Sequence, residues 1–227
     1  MIKKISAIIV TLFLIISAAN AQSVKTGIEV LKSTNFKALE GKRVGLITNP
    51  TGVDNYMRST ADILFEAKNV KLVALYGPEH GIRGDAHAGD EVGDQKDEST
   101  GLPLYSIYGK TRKPTAEMLK DIDVLVYDIQ DNGSRSYTYI STMGLAMEAA
   151  AENNIEFMVL DRPNPLGAKI EGNMVEDGFI SFVSQYKIPY IYGMTCGELA
   201  RFMNEEGITA KKCKLTVIKM EGYKKDM

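Results

Sequence analysis

The sequence predicts an α/β fold, a mostly parallel sheet with helices on both faces. Two observations carry that expectation. The strand-like runs are near-continuously apolar, as strands covered on both faces must be, and helix-like stretches separate them. With 227 residues, 44% hydrophobic and 25% charged, the composition is that of an ordinary globular protein. The length suits one large domain, or one domain with part of another.

"KRVGLIT" (42–48) is a short β-branched run stopped by "NPTG", a turn signal. "RSTADILFEAK" places Ser59 three positions before Asp62, close to a capping box, so a helix begins there. "VKLVALYG" (70–77) is a second buried strand, "KPTAEMLKDI" a short helix and "DVLVYDI" (123–129) a third strand. In "YTYISTMGLAMEAAAENN", Ile140, Met143, Gly144 and Met147 recur at helical spacing, which predicts an amphipathic helix. "IEFMVLD" (155–161) is a fourth strand. "TCGELARFMNEEG" carries the capping box Thr195…Glu198 and ends at Gly207, and "KLTVIKM" is a fifth strand. The segment 168–194 breaks the alternation and reads as an irregular excursion.

Residues 1–21 stand apart. Lys3 and Lys4 precede the apolar "ISAIIVTLFLII", and Ala19-Asn20-Ala21 has the A-x-A form of a cleavage site. This reads as a secretion signal, which predicts a periplasmic or secreted protein with no stable membrane insertion after cleavage. Its removal takes two lysines and leaves 25 basic against 29 acidic residues, net −4. Such a balance gives no electrostatic case for nucleic acid. Cys196 and Cys213 are too few for a disulfide scaffold or a zinc site and read as free thiols.

In an open parallel sheet, ligands sit outside the carboxyl ends of the strands. The polar residues collect there. The first strand runs into Asn49 and the second, through "GPEHGIRG", into Glu79, His80 and Arg83. The third runs into "DIQDNGSRSY", with Asp128, Gln130, Asp131, Arg135 and Tyr137. The fourth runs into "DRPNP", with Asp161, Arg162 and Asn164. Four such ends on one rim predict a polar cleft. Each has a plainer reading too: glycines and Glu79 could make a turn, and Asp161 could bond its own backbone.

No G-x-G-x-x-G follows the first strand and no G-x-x-x-x-G-K-[ST] occurs, so no nucleotide cofactor is expected. His80, Asp85, His87, Asp90, Glu91 and Asp94 could ligate a metal, which leaves a metal-dependent hydrolase using His80 and His87 as an alternative. Their spacing matches no established ligand pattern. A glycosidase needs an acid near the leaving oxygen and usually a second carboxylate. Glu79 suits the first role, and Asp128, Asp131 or Asp161 the second. Arg83, Arg135 and Arg162 could clamp a substrate carboxylate. A non-catalytic sugar-binding module is the other alternative.

"GKRVGLITNPTGVD", "LVALYGPEHGIRGD…AGDEV", "TGLPLYSIYG…RKPTAEMLKDIDVLVYDIQD", "RSYTYISTM…MEAAAENN" and "VLDRPNPLG" follow one another in order. Together they closely resemble the exo-β-N-acetylmuramidases of the NamZ type, over roughly residues 27–226. The resemblance implies a Rossmann-like domain joined to a second domain, with the active site between them. It also implies release of terminal N-acetylmuramic acid from the non-reducing end of peptidoglycan fragments. Glu79 falls on the glutamate of the family's "GPEHG" motif and is the expected catalytic acid. His80, Arg83, Asp128, Arg135, Tyr137, Asp161, Arg162 and Asn164 fall on motif positions as cleft members, with Arg135 the first candidate for a clamp on the lactyl carboxylate. The expected organisation is a signal peptide at 1–21, the Rossmann-like catalytic domain at 22–167, and the remainder of the sheet at 168–227 with the start of a C-terminally truncated second domain.

Overall fold

The computed structural model describes residues 23–84, 87 and 95–226. The expected signal peptide lies outside the described residues. Nine strands are described: β1 (Arg43–Thr48), β2 (Lys71–Gly77), β3 (Gln95–Lys96), β4 (Pro103–Ser106), β5 (Val124–Asp128), β6 (Glu156–Leu160), β7 (Ile170–Met174), β8 (Pro189–Tyr192) and β9 (Lys214–Ile218). The α-helices are α1 (Gly27–Ser33), α2 (Thr60–Glu66), α3 (Ala116–Leu119), α4 (Tyr139–Glu152) and α5 (Cys196–Glu205).

Seven strands form one sheet in the order β3-β4-β2-β1-β5-β6-β9. All neighbours run parallel except the edge strand β3, which is antiparallel to β4. β1 is the pivot, for the chain moves to one side through β2 and to the other through β5. Right-handed crossovers in opposite directions put their helices on opposite faces. That is observed here. Leu125, Tyr127, Phe157 and Val159 point to the face covered by α4 and α5, while Val124, Val126, Met158 and Leu160 meet α1 and α2. β5 and β6 are buried at every position, which is why their sequences show no alternation.

Three differences from the sequence reading have physical causes. β4 was not expected, because Gly101 and Pro103 make "TGLPLYS" look like a turn; Pro103 is tolerated as the strand's first residue. Helix α4 is not amphipathic: ten of its fourteen residues are buried. Its outer face is covered by the 168–194 segment, whose Tyr186 packs over Gly144; a Cβ there would lie 2.3 Å from the ring. That segment is itself more regular than expected, with β7 and β8 paired antiparallel. It is fastened to the body through Tyr186, Ile188 and Tyr192 in the core.

Helix starts follow their caps. Ser59 caps α2 by accepting from the Ala61 N–H. Thr195 and Glu198 form the expected capping box of α5. Cys196 and Cys213 are free and buried.

Candidate active site

The carboxyl ends of β1, β2, β5 and β6 share one edge of the sheet, because these strands are parallel. At the pivot between β1 and β5 the crossovers diverge, leaving a crevice of the kind that receives ligands in doubly wound sheets. The ends are cross-linked. The Thr48 hydroxyl donates to the Asp128 carbonyl at 2.8 Å, and the Gln130 N–H donates to the Thr51 hydroxyl at 2.9 Å. Gln130 Nε2 donates to the carbonyls of Asp131 and Pro163, each at 2.7 Å.

Glu79 sits on a tight turn just past β2. The Gly81 N–H closes the turn on the Pro78 carbonyl at 3.0 Å, and His80 and Gly81 both take left-handed backbone angles. The half-buried Glu79 carboxylate is held at both oxygens. Oε1 accepts from the Tyr108 hydroxyl at 2.9 Å and Oε2 from the Thr138 hydroxyl at 2.8 Å. Tyr108 follows β4, and Thr138 is the N-cap of α4, so three elements meet at this carboxylate. Among the described residues no salt bridge reaches it. Glu79 raises the Tyr108 phenol pKa, chiefly through this hydrogen bond, with burial adding to it. Tyr139, also half-buried, has its hydroxyl pKa raised by burial, an effect opposed by a hydrogen bond from Asn49 and reinforced by the negative charge of Glu79. His80 is half-buried on the same turn and Tyr137 is exposed on the rim.

The other acids and the arginines are placed differently. Asp128 is fully buried: Oδ1 accepts from Arg162 Nε at 2.6 Å, and Oδ2 from Arg162 Nη2 at 2.9 Å and the Thr60 hydroxyl at 2.5 Å. Arg162 Nη2 also donates to the Val53 carbonyl at 2.9 Å. Asp161 accepts from the Gly197 N–H at 2.8 Å, the Thr195 hydroxyl at 2.9 Å and the Arg162 N–H at 3.1 Å, tying β6 to the start of α5. Burial raises its pKa, and these donors oppose the rise. The buried Asp131 accepts from the Tyr192 hydroxyl and, at 2.8 Å, from the Gly133 N–H; among the described residues its Oδ1 has no hydrogen-bond partner. Burial raises its pKa as well.

The expectation that Asp128, Asp131 and Asp161 face an open cleft beside Glu79 therefore needs correction: they lie beneath the rim with internal partners. The arginines read as clamps also have internal partners. Arg83 is shared between Asp97 (3.0 and 2.9 Å) and Asp62 (3.1 and 2.8 Å). Arg135 is buried and donates through Nη1 to the carbonyls of Asn173 and Ile188, at 2.8 and 2.6 Å, pinning the β7–β8 hairpin. Asn164 donates to the Met194 carbonyl at 2.8 Å and accepts from the Leu166 N–H at 2.9 Å. Of the residues named from sequence, Tyr137 is exposed and Glu79, His80, Arg83 and Gln130 are half-buried, the last two with the internal partners given above.

Tyr108 and Thr138 escaped the sequence reading. Both lie in stretches that carry the family resemblance, "RSYTYISTM" and "TGLPLYSIYG", but nothing local marks either as a partner of Glu79, and Tyr108 comes beside it only because β4 pairs with β2. A cavity of about 230 Å³ lies beside Asp161, lined by Thr195, Glu198, Arg201 and Tyr223 among others, and not beside Glu79. Of the two carboxyl groups lining that cavity, Asp161 already has three donors, and Glu198 accepts from the Thr195 N–H and pairs with Lys225. For the metal alternative, no group of three or more His, Cys, Asp or Glu side chains converges among the described residues. His87 is described and exposed; Asp85, Asp90, Glu91 and Asp94 lie outside the described residues.

Fold and rim together define a doubly wound α/β domain with an oriented glutamate beside its switch point. Residues 44–227 match the family described as exo-beta-N-acetylmuramidase NamZ, N-terminal, and the chain belongs to that family. It is 57% identical over 211 residues to the peptidoglycan beta-N-acetylmuramidase NamZ of Bacillus subtilis (strain 168), covering 92% of this chain and 50% of the relative. A crystal structure of a DUF1343 family protein from Bacteroides fragilis NCTC 9343 superimposes with a TM-score of 0.86 at 72% identity, over 91% of this chain and 52% of that one. A second DUF1343 structure from the same organism gives 0.78 at 36% identity, over 90% and 54%. The chain spans about half the length of the relatives it matches.

Proposed function

We propose that this chain carries the catalytic acid of an exported glycoside hydrolase that releases terminal N-acetylmuramic acid from the non-reducing end of peptidoglycan fragments. The observation that carries the reading is the Glu79 carboxylate, held on the rim by two neutral hydroxyls. The peptidoglycan beta-N-acetylmuramidase activity named for the Bacillus subtilis relative supports it.

In this mechanism Glu79 donates a proton to the glycosidic oxygen as the bond to the anomeric carbon breaks. Protonating Glu79 disrupts no ion pair among the described residues. The Tyr108 and Thr138 hydroxyls can rotate to follow the charge while keeping the carboxyl aimed. Protonating Asp128 would instead strand the buried Arg162 guanidinium, so Asp128 serves the rim and not proton transfer. Asp161 serves it in the same way, by fixing α5 against β6.

The test is product analysis. Incubating the protein with muramyl-terminated peptidoglycan fragments should release free N-acetylmuramic acid; intact fragments after prolonged incubation would count against the activity. Export is checked separately. A mature N-terminus at Gln22, found by mass spectrometry outside the cytoplasm, is the expected result, and a retained Met1 would contradict it.

A further inference from the structure

Three arginines near the rim are already engaged. Arg83 is held by Asp62 and Asp97, Arg135 by two backbone carbonyls, and Arg162 by Asp128. Arg112 differs. It is exposed, and among the described residues it forms no salt bridge. Its guanidinium carbon lies 4.6 Å from the centroid of the Phe182 ring. Phe182 is buried, and its ring lies 6.1 Å from that of Tyr108. Tyr108 in turn donates to Glu79. Arg112 is thus two ring contacts and one hydrogen bond away from the proposed acid, and its charge is felt at the Tyr108 hydroxyl.

Stacking on an aromatic face holds a guanidinium in place and leaves its N–H edge free. That edge is the part that pairs with a carboxylate through two parallel hydrogen bonds. A sugar delivering its glycosidic oxygen to Glu79 must lay its substituents over adjoining surface, and Tyr108 and Arg112, backed by Phe182, form one such surface. We infer that Arg112 is a substrate-binding residue that receives the carboxylate substituent of the sugar bound at Glu79, and so selects carboxylated amino sugars over neutral ones. The inference rests on the glycosidase reading above and replaces Arg135 as the carboxylate partner.

The experiment compares binding of N-acetylmuramic acid and its methyl ester, which keeps the shape and removes the charge, by titration calorimetry. The unmodified protein should prefer the free acid by about tenfold or more, the scale of a hydrogen bond to a charged group. Arg112→Gln should bind both alike. Arg112→Lys, which keeps the charge without the planar fork, should fall between them. Arg112→Gln retaining the full preference, with an unchanged melting temperature, would overturn the assignment. Equal binding of acid and ester by the unmodified protein would overturn it too, while leaving the glycosidase reading in place. Failure of the unmodified protein to bind either sugar would overturn both.

Discussion

Arg162 grips Asp128 through two hydrogen bonds, Nε to Oδ1 at 2.6 Å and Nη2 to Oδ2 at 2.9 Å, with both side chains out of solvent. The pair joins the carboxyl ends of β5 and β6 directly beneath the rim. Removing one partner of a buried pair leaves an uncompensated group, at a cost of about 3–5 kcal/mol. Asp128→Asn should therefore lower the stability by roughly that amount in denaturant unfolding. The double variant Asp128→Leu/Arg162→Met should recover part of the loss. If Asp128→Asn unfolds at the wild-type midpoint, the pair does not hold the rim together.

The Tyr108–Glu79 bond makes a spectroscopic prediction. The carboxylate holds the phenolic proton and raises the Tyr108 pKa, with burial contributing in the same direction. A neutral amide oxygen holds that proton less strongly. In Glu79→Gln, Tyr108 should ionise at lower pH than in the unmodified protein, read from its Cζ resonance with and without Tyr108→Phe to assign it. An unchanged or higher ionisation midpoint would show that the two groups are not bonded in solution.

Arg83 and Asp97 set part of the acid response. Hydrogen bonding from Arg83 is the largest influence on Asp97 and holds its pKa below the ordinary value, against the opposing effect of burial. For an acid lowered on folding, the stabilisation is complete above the unfolded pKa, about 4. It is lost as pH falls through the folded value. Melting temperatures measured downward from neutral pH should drop below about pH 4. Arg83→Met should have a lower melting temperature at neutral pH and a flatter decline. Parallel curves for the two proteins would contradict this.

Gly144 tests the packing of the β7–β8 hairpin against α4. Within a helix, Ala is preferred over Gly by about 1 kcal/mol. Here a Cβ would lie 2.3 Å from Tyr186 Cε2 and 2.4 Å from its Cζ and hydroxyl oxygen. Overpacking of this kind typically costs about 1–3 kcal/mol, so Gly144→Ala should be less stable despite its better propensity. Gly144→Ala combined with Tyr186→Leu should recover stability relative to Gly144→Ala alone. A stabilised single variant would mean that the hairpin does not rest on the helix as described.

What the sequence reveals here is what local chemistry determines. β5 and β6 are buried on both faces, and a run such as "DVLVYD" reports that directly. Thr195 and Glu198 form their capping box within one turn, so three residues of spacing suffice to see it. Long-range closure is different. Arg135 looks like a cation waiting on a polar loop, until the carbonyls of Asn173 and Ile188 come to it from a hairpin that follows much later in the chain. Asp128 looks like a candidate base, until Arg162 arrives from the next strand. Tyr108 was invisible because β4 begins at a proline and is only four residues long. The rim could be located from the strand ends, but which of its charges face outward is settled by partners distant in the sequence.

Glu79 is the proposed proton donor. The direct measurement is turnover of a chromogenic β-muramyl glycoside with a poor leaving group by Glu79→Gln and unmodified protein, alongside sugar binding by both. The prediction is a loss of kcat by at least about a hundredfold, the lower range for removing a general acid, with affinity for N-acetylmuramic acid nearly unchanged. Turnover by Glu79→Gln at the unmodified rate would contradict the account and move the chemistry elsewhere on the rim.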